Sequence, residues 1–154
     1  IGDGNHETKF TQRTGVDLVG ELCRRLNVRR GGHSGVVTFR VGKHDFNVGY
    51  WHGAGGGSSI QAAAKQSARL LDVVEGLDVA WTGHRHQRFV HATTRFALRR
   101  GRAVERRVLL AMSGAYTRWE GYAAERMLSP GDAGAVFLVA KDDGAKLKTE
   151  AMLL

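Results

Sequence analysis

The sequence predicts a single α/β domain in which layered, mixed β-sheets are flanked by helices. Two stretches, at about residues 14–28 and 58–75, carry apolar residues at helical spacing. Around them lie runs rich in Val, Leu, Phe and Thr that are bounded by glycine, a pattern typical of strands. A chain of 154 residues fits one domain and can bury its own core. Strands mixed with two helices favour packed α/β layers.

The first third of the chain is expected to hold a loop, a helix and a hairpin. Residues 1–10 are interpreted as a loop that leaves an upstream strand. Thr14 is a plausible N-cap for the first helix. Residues 36–41 and 44–50 alternate in the manner of paired strands around a turn. The first helix should bury one apolar stripe, formed by Val16, Val19, Leu22, Cys23 and Leu26.

The remainder is expected to add the second helix and further strands. Ser58 or Ser59 should cap this helix, and Gly76 should end it. Its predicted inner stripe is Ile60, Ala63, Ala64, Ser67, Leu70, Leu71 and Val74. Residues 116–128 fit either a short helix or irregular chain. Strands are predicted at 77–81, 88–98, 103–112, 135–139 and 146–153.

Net charge is the main compositional outlier, at +8 with neutral histidines. Such a balance favours polyanionic partners, among them nucleic acid, phosphorylated substrates and anionic lipid surfaces. The arginines form two clusters, near residues 24–30 and 95–107, and a solvated surface explains them about as well as a binding surface does. The candidates for contact with nucleic acid are Arg29, Arg30, Arg99, Arg100 and Arg102.

Cysteine usage and hydropathy bear on the cellular compartment. Cys23 is the only cysteine, so the chain can form no internal disulfide, which suits a reducing compartment. No apolar run approaches the roughly 18 residues that a membrane-spanning helix needs. We therefore expect a cytoplasmic protein without membrane association.

Histidines in glycine-flanked loops are the sharpest chemical signal. His6, His52 and the pair of His84 and His86 each lie in such a loop, placed after an expected strand. Ligands of open α/β sheets bind at the carboxyl ends of strands. Imidazole nitrogens together with amide or carboxylate oxygens suit zinc, manganese or iron. Since a single histidine is usually an ordinary surface or core residue, the prediction of a metal site depends on the ordered set.

This ordered set resembles the last three motifs of the calcineurin-like metallophosphoesterases. The motifs are Gly4-Asn5-His6-Glu7, then His52 before a glycine-rich loop, then Gly83-His84-Arg85-His86. Each is weak alone, but their order and placement match the family, over about residues 1–140. The resemblance implies an αββα sandwich and hydrolysis of phosphate esters by a hydroxide held by metal ions, with a phosphodiesterase or nuclease as the expected type.

The resemblance also implies two divalent ions, manganese first, with zinc or iron as alternatives. Asn5, His52 and His84 would bind one ion and His86 the other. His6 would protonate the leaving group or steer the phosphate. Glu7 would hold His6 or a nearby backbone group, as residues beside catalytic imidazoles do.

The chain departs from the family in one large respect. The Asp-x-His and Gly-Asp-x-x-Asp motifs, which precede Gly-Asn-His in the family and supply the other ligands, do not occur upstream of Gly4 in this sequence. We therefore expect a domain whose N-terminal strands are missing, with exposed apolar sheet surface, possible association through that incomplete sheet and low activity alone. The alternatives are a non-catalytic interaction scaffold of the same fold and a nucleic-acid-binding module.

Overall fold

A five-stranded mixed sheet forms the centre of the protein. The computed structural model describes residues 1–55, 59–115, 120–125, 133–144 and 147–153. The α/β class predicted from the sequence is confirmed. In chain order the elements are α1 (Asn5–Thr14), α2 (Leu18–Arg25), β1 (Ser34–Val41), β2 (His44–Trp51), α3 (Ile60–Val73), β3 (Val79–Thr82), β4 (Phe89–Arg99), β5 (Arg102–Met112), α4 (Tyr122–Glu125), β6 (Val136–Asp142) and β7 (Leu147–Leu153).

Three parallel strands lie in the middle of this sheet. Its order is β1-β2-β3-β5-β4, with β3 hydrogen-bonded in parallel to both β2 and β5. The outer strands β1 and β4 pair antiparallel with β2 and β5 through tight hairpins. Strands β6 and β7 form a separate two-stranded sheet. Because β2, β3 and β5 are parallel, their carboxyl ends meet at one edge of the sheet.

The two faces of the sheet are covered by different layers. Helix α3 packs on one face through Ala63, which contacts a buried cluster that includes Ala80, Leu110 and Met112. The β6–β7 sheet packs on the other face, where Val136 joins the second buried cluster of the core. The described core is therefore a helix layer, a central sheet and a small second sheet, held by burial of apolar surface.

Most strands and the second helix agree with the sequence prediction, with slightly shifted ends. Ser59 is the N-cap of α3, and its side chain accepts a hydrogen bond from the N–H of Ala62. Within the predicted inner stripe, Ala63 and Ser67 are buried, whereas Ile60 is exposed. Of residues 116–128, α4 is helical, and 116–119 and 126–128 lie outside the described residues.

The prediction of a loop over residues 1–10 was wrong from Asn5 onward. Helix α1 begins there, with Gly4 as an extended N-cap, and it ends at Gly15 in the left-handed conformation. The helix buries none of its residues and its sequence is mostly polar, so the apolar periodicity that reveals a helix in a sequence is weak here. The Gly-Asn-His-Glu motif therefore opens a helix.

The first predicted helix is shorter than expected and starts later. Thr14 is the last residue of α1, and Asp17 caps α2 by accepting a hydrogen bond from the N–H of Gly20. Of the predicted stripe only Val19 and Cys23 are buried, and Val16, Leu22 and Leu26 are exposed. The apolar residues do recur at helical spacing, but few side chains of the described residues pack against this stripe.

Exposed apolar side chains lie on the outer strands β1 and β4 of the central sheet, and a sheet with missing strands stays a prediction. Phe39 of β1 is 51% exposed, and Phe96 and Leu98 near the end of β4 are 70% and 80% exposed. Association through this surface stays a prediction. No helix in the described ranges combines the length and apolar character needed to cross a lipid bilayer.

A buried hydroxyl pair joins α3 to the end of β3, and it yields the first prediction. Ser67 Oγ lies 2.7 Å from Thr82 Oγ1, and both residues are almost fully buried. Ser67→Ala strands the Thr82 hydroxyl and should lower the free energy of unfolding by about 1–3 kcal/mol. Thr82→Val should cost less, because Ser67 can still donate to the carbonyl of Ala63, 3.4 Å away. Urea denaturation measures both variants.

Thr94→Val is the control, because Thr94 is exposed on β4. It should change the free energy of unfolding by no more than about 0.5 kcal/mol. Equal losses for Ser67→Ala and Thr82→Val would contradict the asymmetry expected from the hydrogen bonds.

Candidate metal centre

The candidate ligands meet at the carboxyl edge of the parallel strands. His52 directly follows β2, and His84 follows β3 after one residue, Gly83. These neighbouring parallel strands place their following loops side by side. Asn5 comes to the same place as the first residue of α1. The sequence-predicted residues Asn5, His52 and His84 are thus brought together by three separate elements.

Two candidate donor atoms lie close to a third, His52 Nε2. His52 Nε2 lies 2.9 Å from Asn5 Oδ1 and 3.2 Å from His84 Nδ1. The two imidazole rings are 5.0 Å apart between centroids and inclined by 66°. Donors that each lie about 2.0–2.2 Å from one ion, at angles of about 90–110°, are about 2.8–3.6 Å apart. The two separations from His52 Nε2 fall in that range.

Hydrogen bonding alone does not satisfy this arrangement. The backbone N–H of Asn5 also points at His52 Nε2, at 3.4 Å. A neutral ring nitrogen carries either one proton or one lone pair. It cannot accept from that N–H while also donating to Asn5 Oδ1 and to His84 Nδ1. A cation held by the three atoms would use one lone pair from each and would leave the N–H of Asn5 without this acceptor; two imidazole nitrogens and one amide oxygen are a donor set that suits a divalent ion.

The electrostatic environment keeps the two histidines neutral. Partial burial lowers the pKa of His52 below its usual 6.5, and the charge of His84 lowers this pKa further. Burial is also the main cause that lowers the pKa of His84, followed by the charges of His86 and Arg85. Because metals bind the neutral form of imidazole, these shifts favour metal binding at neutral pH.

Backbone strain marks the loop after β3. His84 and His86 both adopt positive φ values, of 71° and 57°. The left-handed conformation costs a non-glycine residue roughly 1–2 kcal/mol, and such strain concentrates at functional sites. Both histidines of the Gly-His-Arg-His motif therefore have strained backbone.

His6 and Glu7 lie beside the three donors on the first turn of α1. His6 is exposed, and its charge contributes to the lowered pKa of both His52 and His84, so it is near them. The Glu7 carboxylate packs against Gly4, where any added side chain would collide with it. Among the described residues, Glu7 makes no hydrogen bond to His6; its negative charge instead opposes the lowering of the His52 pKa.

His86 does not join the donor group. Its side chain is exposed and makes no hydrogen bond with Asn5, His52 or His84 in the described part of the chain. Over the same ranges no three His, Cys, Asp or Glu side chains are grouped so as to hold a metal ion. Among the described residues, the candidate donors that lie together are thus His52, His84 and the amide of Asn5, and a second group is not formed.

The predicted nucleic-acid contacts lie at two different ends of the sheet. Arg30, at the same edge of the sheet as the candidate metal centre, forms ion pairs with Asp3 at 3.0 Å and with Asp17 at 2.7 Å. The side chain of Arg29 is exposed, and its backbone carbonyl accepts a hydrogen bond from the amino terminus. The other three, Arg99, Arg100 and Arg102, lie at the β4–β5 turn. This turn is at the amino end of β5, opposite to the edge that carries the candidate metal centre. These arginines do not form one continuous surface.

Two contributors were not recognised in the sequence. Gln66 of α3 bonds to both loops of the centre. His33 stands 6.4 Å from His52 between ring centroids and bonds Thr8 Oγ1 at 3.1 Å. Neither occupies a recognisable motif, and only the pairing of elements brings them here. A cavity of about 440 Å³ opens beside the centre, lined in part by Asp3, Glu7, His33, His52, Trp51 and Trp81.

Comparison with protein-family models, with curated proteins and with solved structures gives no match to this chain. The functional interpretation therefore depends on the motifs and on the geometry of the centre.

Titration of the two partly buried histidines, His52 and His84, supplies the second prediction. In metal-free protein, both His52 and His84 should titrate below pH 6.5, and His84→Gln should raise the pKa of His52 by removing a positive neighbour. Because the pKa falls on folding, this contribution to stability is present above pH 6.5 and is lost as pH falls through the folded-state values. Imidazole ¹H–¹⁵N NMR measures the titrations, and a pKa above 6.5 for either ring would contradict the description.

Proposed function

We propose that this chain is the ligand-bearing part of a metal-dependent phosphoesterase of the calcineurin-like type. The observation that carries the proposal is the convergence of Asn5 Oδ1, His52 Nε2 and His84 Nδ1 at the carboxyl edge of parallel strands. Their order along the chain is the order of the resembling motifs. Manganese is the first candidate ion, and zinc or iron also suit a donor set of two imidazoles and one amide oxygen.

The layers of the fold support the same proposal. A calcineurin-like αββα sandwich has two packed sheets with helices outside them. Here α3, the central sheet and the β6–β7 sheet would be three of those four layers. Exposed apolar residues beside β6 and β7 would then be the surface on which further strands of the second sheet pack.

Each residue of the centre has a defined task in the proposed reaction. Asn5, His52 and His84 would hold the ion, which would supply positive charge against the phosphate oxygens and make nearby water more acidic. His6, one residue after Asn5, would give its proton to the departing oxygen or orient the phosphate. Glu7 supplies a negative charge beside His52 and favours a cation in the centre. A second ion would bind His86 and needs ligands beyond the described residues.

One observation favours a nucleic acid as the source of the phosphate ester. Arg99 and Arg102 face each other directly across β4 and β5. Like charges at such positions destabilise a sheet, and within the described ranges neither guanidinium has a carboxylate partner. Arg95 and Arg106, further along the same strands, are by contrast paired with Asp72 and Asp78. The unpaired guanidinium groups suit phosphodiester oxygens.

The third prediction separates phosphate chemistry from metal binding alone. With saturating Mn²⁺, inorganic phosphate should bind at least about tenfold more tightly than in EDTA, since one added favourable interaction of about 1.4 kcal/mol gives that factor. Isothermal titration calorimetry with the purified chain measures both conditions. Phosphate affinity that does not depend on Mn²⁺ would contradict the proposed function.

Two variants assign the roles in the same experiment. His84→Asn should lose Mn²⁺ and, with it, the Mn²⁺-dependent phosphate binding. His6→Asn should retain Mn²⁺ and weaken only the phosphate, because His6 is placed beside the donors and not among them. Loss of metal in His6→Asn as severe as that in His84→Asn would make His6 a ligand.

The fourth prediction tests the arginines at the β4–β5 turn. The double variant R99S/R102S should bind a labelled single-stranded oligonucleotide more weakly. The plot of log association constant against log salt concentration should become less steep by about 1.4, or about 0.7 for each lost phosphate contact. Fluorescence anisotropy at several salt concentrations gives the slope. R24S/R25S is the matched control, since it removes the same charge from arginines that pair with Glu21 on α2. Equal losses in both double variants would indicate general charge attraction only.

A further inference from the structure

The side-chain amide of Gln66 lies between the two loops that carry the candidate histidines. Gln66 belongs to α3 and is only 4% exposed. A buried glutamine amide is costly unless its polar atoms are bonded. Its backbone belongs to a 14-residue helix that packs on the central sheet.

Every polar atom of this amide is used, and its partners come from both loops. Its Nε2 donates to the carbonyl of Gly83, at 3.1 Å. Its Oε1 accepts from the N–H of Ala54, at 3.2 Å, and from Nε of Arg85, at 3.0 Å. Ala54 is two residues after His52, and Gly83 and Arg85 are the immediate neighbours of His84. One side chain therefore bridges both ligand-bearing loops.

The glycines of the loops make this bridge possible. A Cβ on Gly53 would collide with Nε2 of Gln66 and with the carbonyl of Gly83, and Gly53 also has a positive φ of 97°. A Cβ on Gly83 would meet the carbonyl of His52 at 3.4 Å. The two loops thus touch each other and the amide through bare backbone, so a small shift of Gln66 would be passed directly to both histidines.

The helix position next to Gln66 strengthens the anchor. Ser67 Oγ bonds Thr82 Oγ1 at the end of β3, one residue before Gly83. Consecutive residues of α3 therefore hold the start of the His84 loop by two separate contacts, and only Gln66 extends the connection to the His52 loop.

We infer that Gln66 is the positioning residue that sets the separation of His52 and His84, and thereby the affinity of the centre for a divalent ion. The inference rests on the proposed function, because it assumes that the histidines bind metal. Without the amide, the loops after β2 and β3 would lose the three hydrogen bonds that tie both of them to α3. The 3.2 Å between His52 Nε2 and His84 Nδ1 would then have to be established by the ion on binding, which weakens binding.

Gln66→Met tests the inference, because it keeps the length of the side chain and removes the three hydrogen bonds. Residues that orient metal ligands typically contribute 10–100-fold to affinity. Gln66→Met should therefore bind Mn²⁺ 10–100-fold more weakly by calorimetry. Gln61→Met, at an exposed position of the same helix, should bind like the unaltered chain. Gln66→Asn, which keeps the amide but cannot reach both loops, should also bind more weakly and serves if Gln66→Met does not fold.

The readouts distinguish this inference from its premise. If the unaltered chain does not bind Mn²⁺, the proposed function fails and the inference fails with it. If the unaltered chain binds and both Gln66 variants bind within twofold of it, the inference alone is overturned. NMR of the imidazole groups gives a further check without metal: the His52 and His84 signals should shift in Gln66→Asn and not in Gln61→Met. A purely structural role would lower unfolding stability and leave both rings and the affinity of the folded protein unchanged.

Discussion

The parallel pairing of β3 with β2 and β5 is the constraint on which the rest of the structure depends. Strand β3 has only four residues, yet Val79, Ala80 and Thr82 are almost fully removed from water. Burial on both faces fixes the register of the strand, because a shift by one residue would exchange its two faces. The fixed register places the loop of His84 beside the loop of His52, and α3 and the β6–β7 sheet then hold the strand from both sides.

The sequence predicts those parts of the fold in which apolar spacing reflects burial. Strands β1 to β5 and helix α3 were predicted because their residues alternate, or recur at helical spacing, against a real core. Helix α1 was not, because it buries nothing and its polar sequence carries little periodicity. For α2 the error is the opposite one: Leu22 and Leu26 have core-like spacing and are nevertheless exposed.

For the site, the motifs predicted residue types and order, and the structure adds distances. Asn5, His52 and His84 could be proposed from loops flanked by glycine, although they are far apart in the sequence. Gln66 could not, because its role comes from the packing of α3 over two loops and leaves no local pattern. The separation of Arg30 from Arg99 is likewise a consequence of sheet topology: the chain reaches opposite ends of the sheet at these residues.

The central claim is that two imidazoles and one amide oxygen of this chain bind one divalent ion. X-ray absorption spectroscopy of the chain loaded with one equivalent of Zn²⁺ tests it most directly, since outer-shell scattering counts imidazole ligands and zinc–sulfur bonds are longer, at about 2.3 Å. The account predicts two imidazoles and no sulfur, and loss of this two-imidazole coordination in His84→Asn, which should no longer hold the ion. A sulfur ligand from Cys23, or an imidazole count that His84→Asn leaves unchanged, would contradict it.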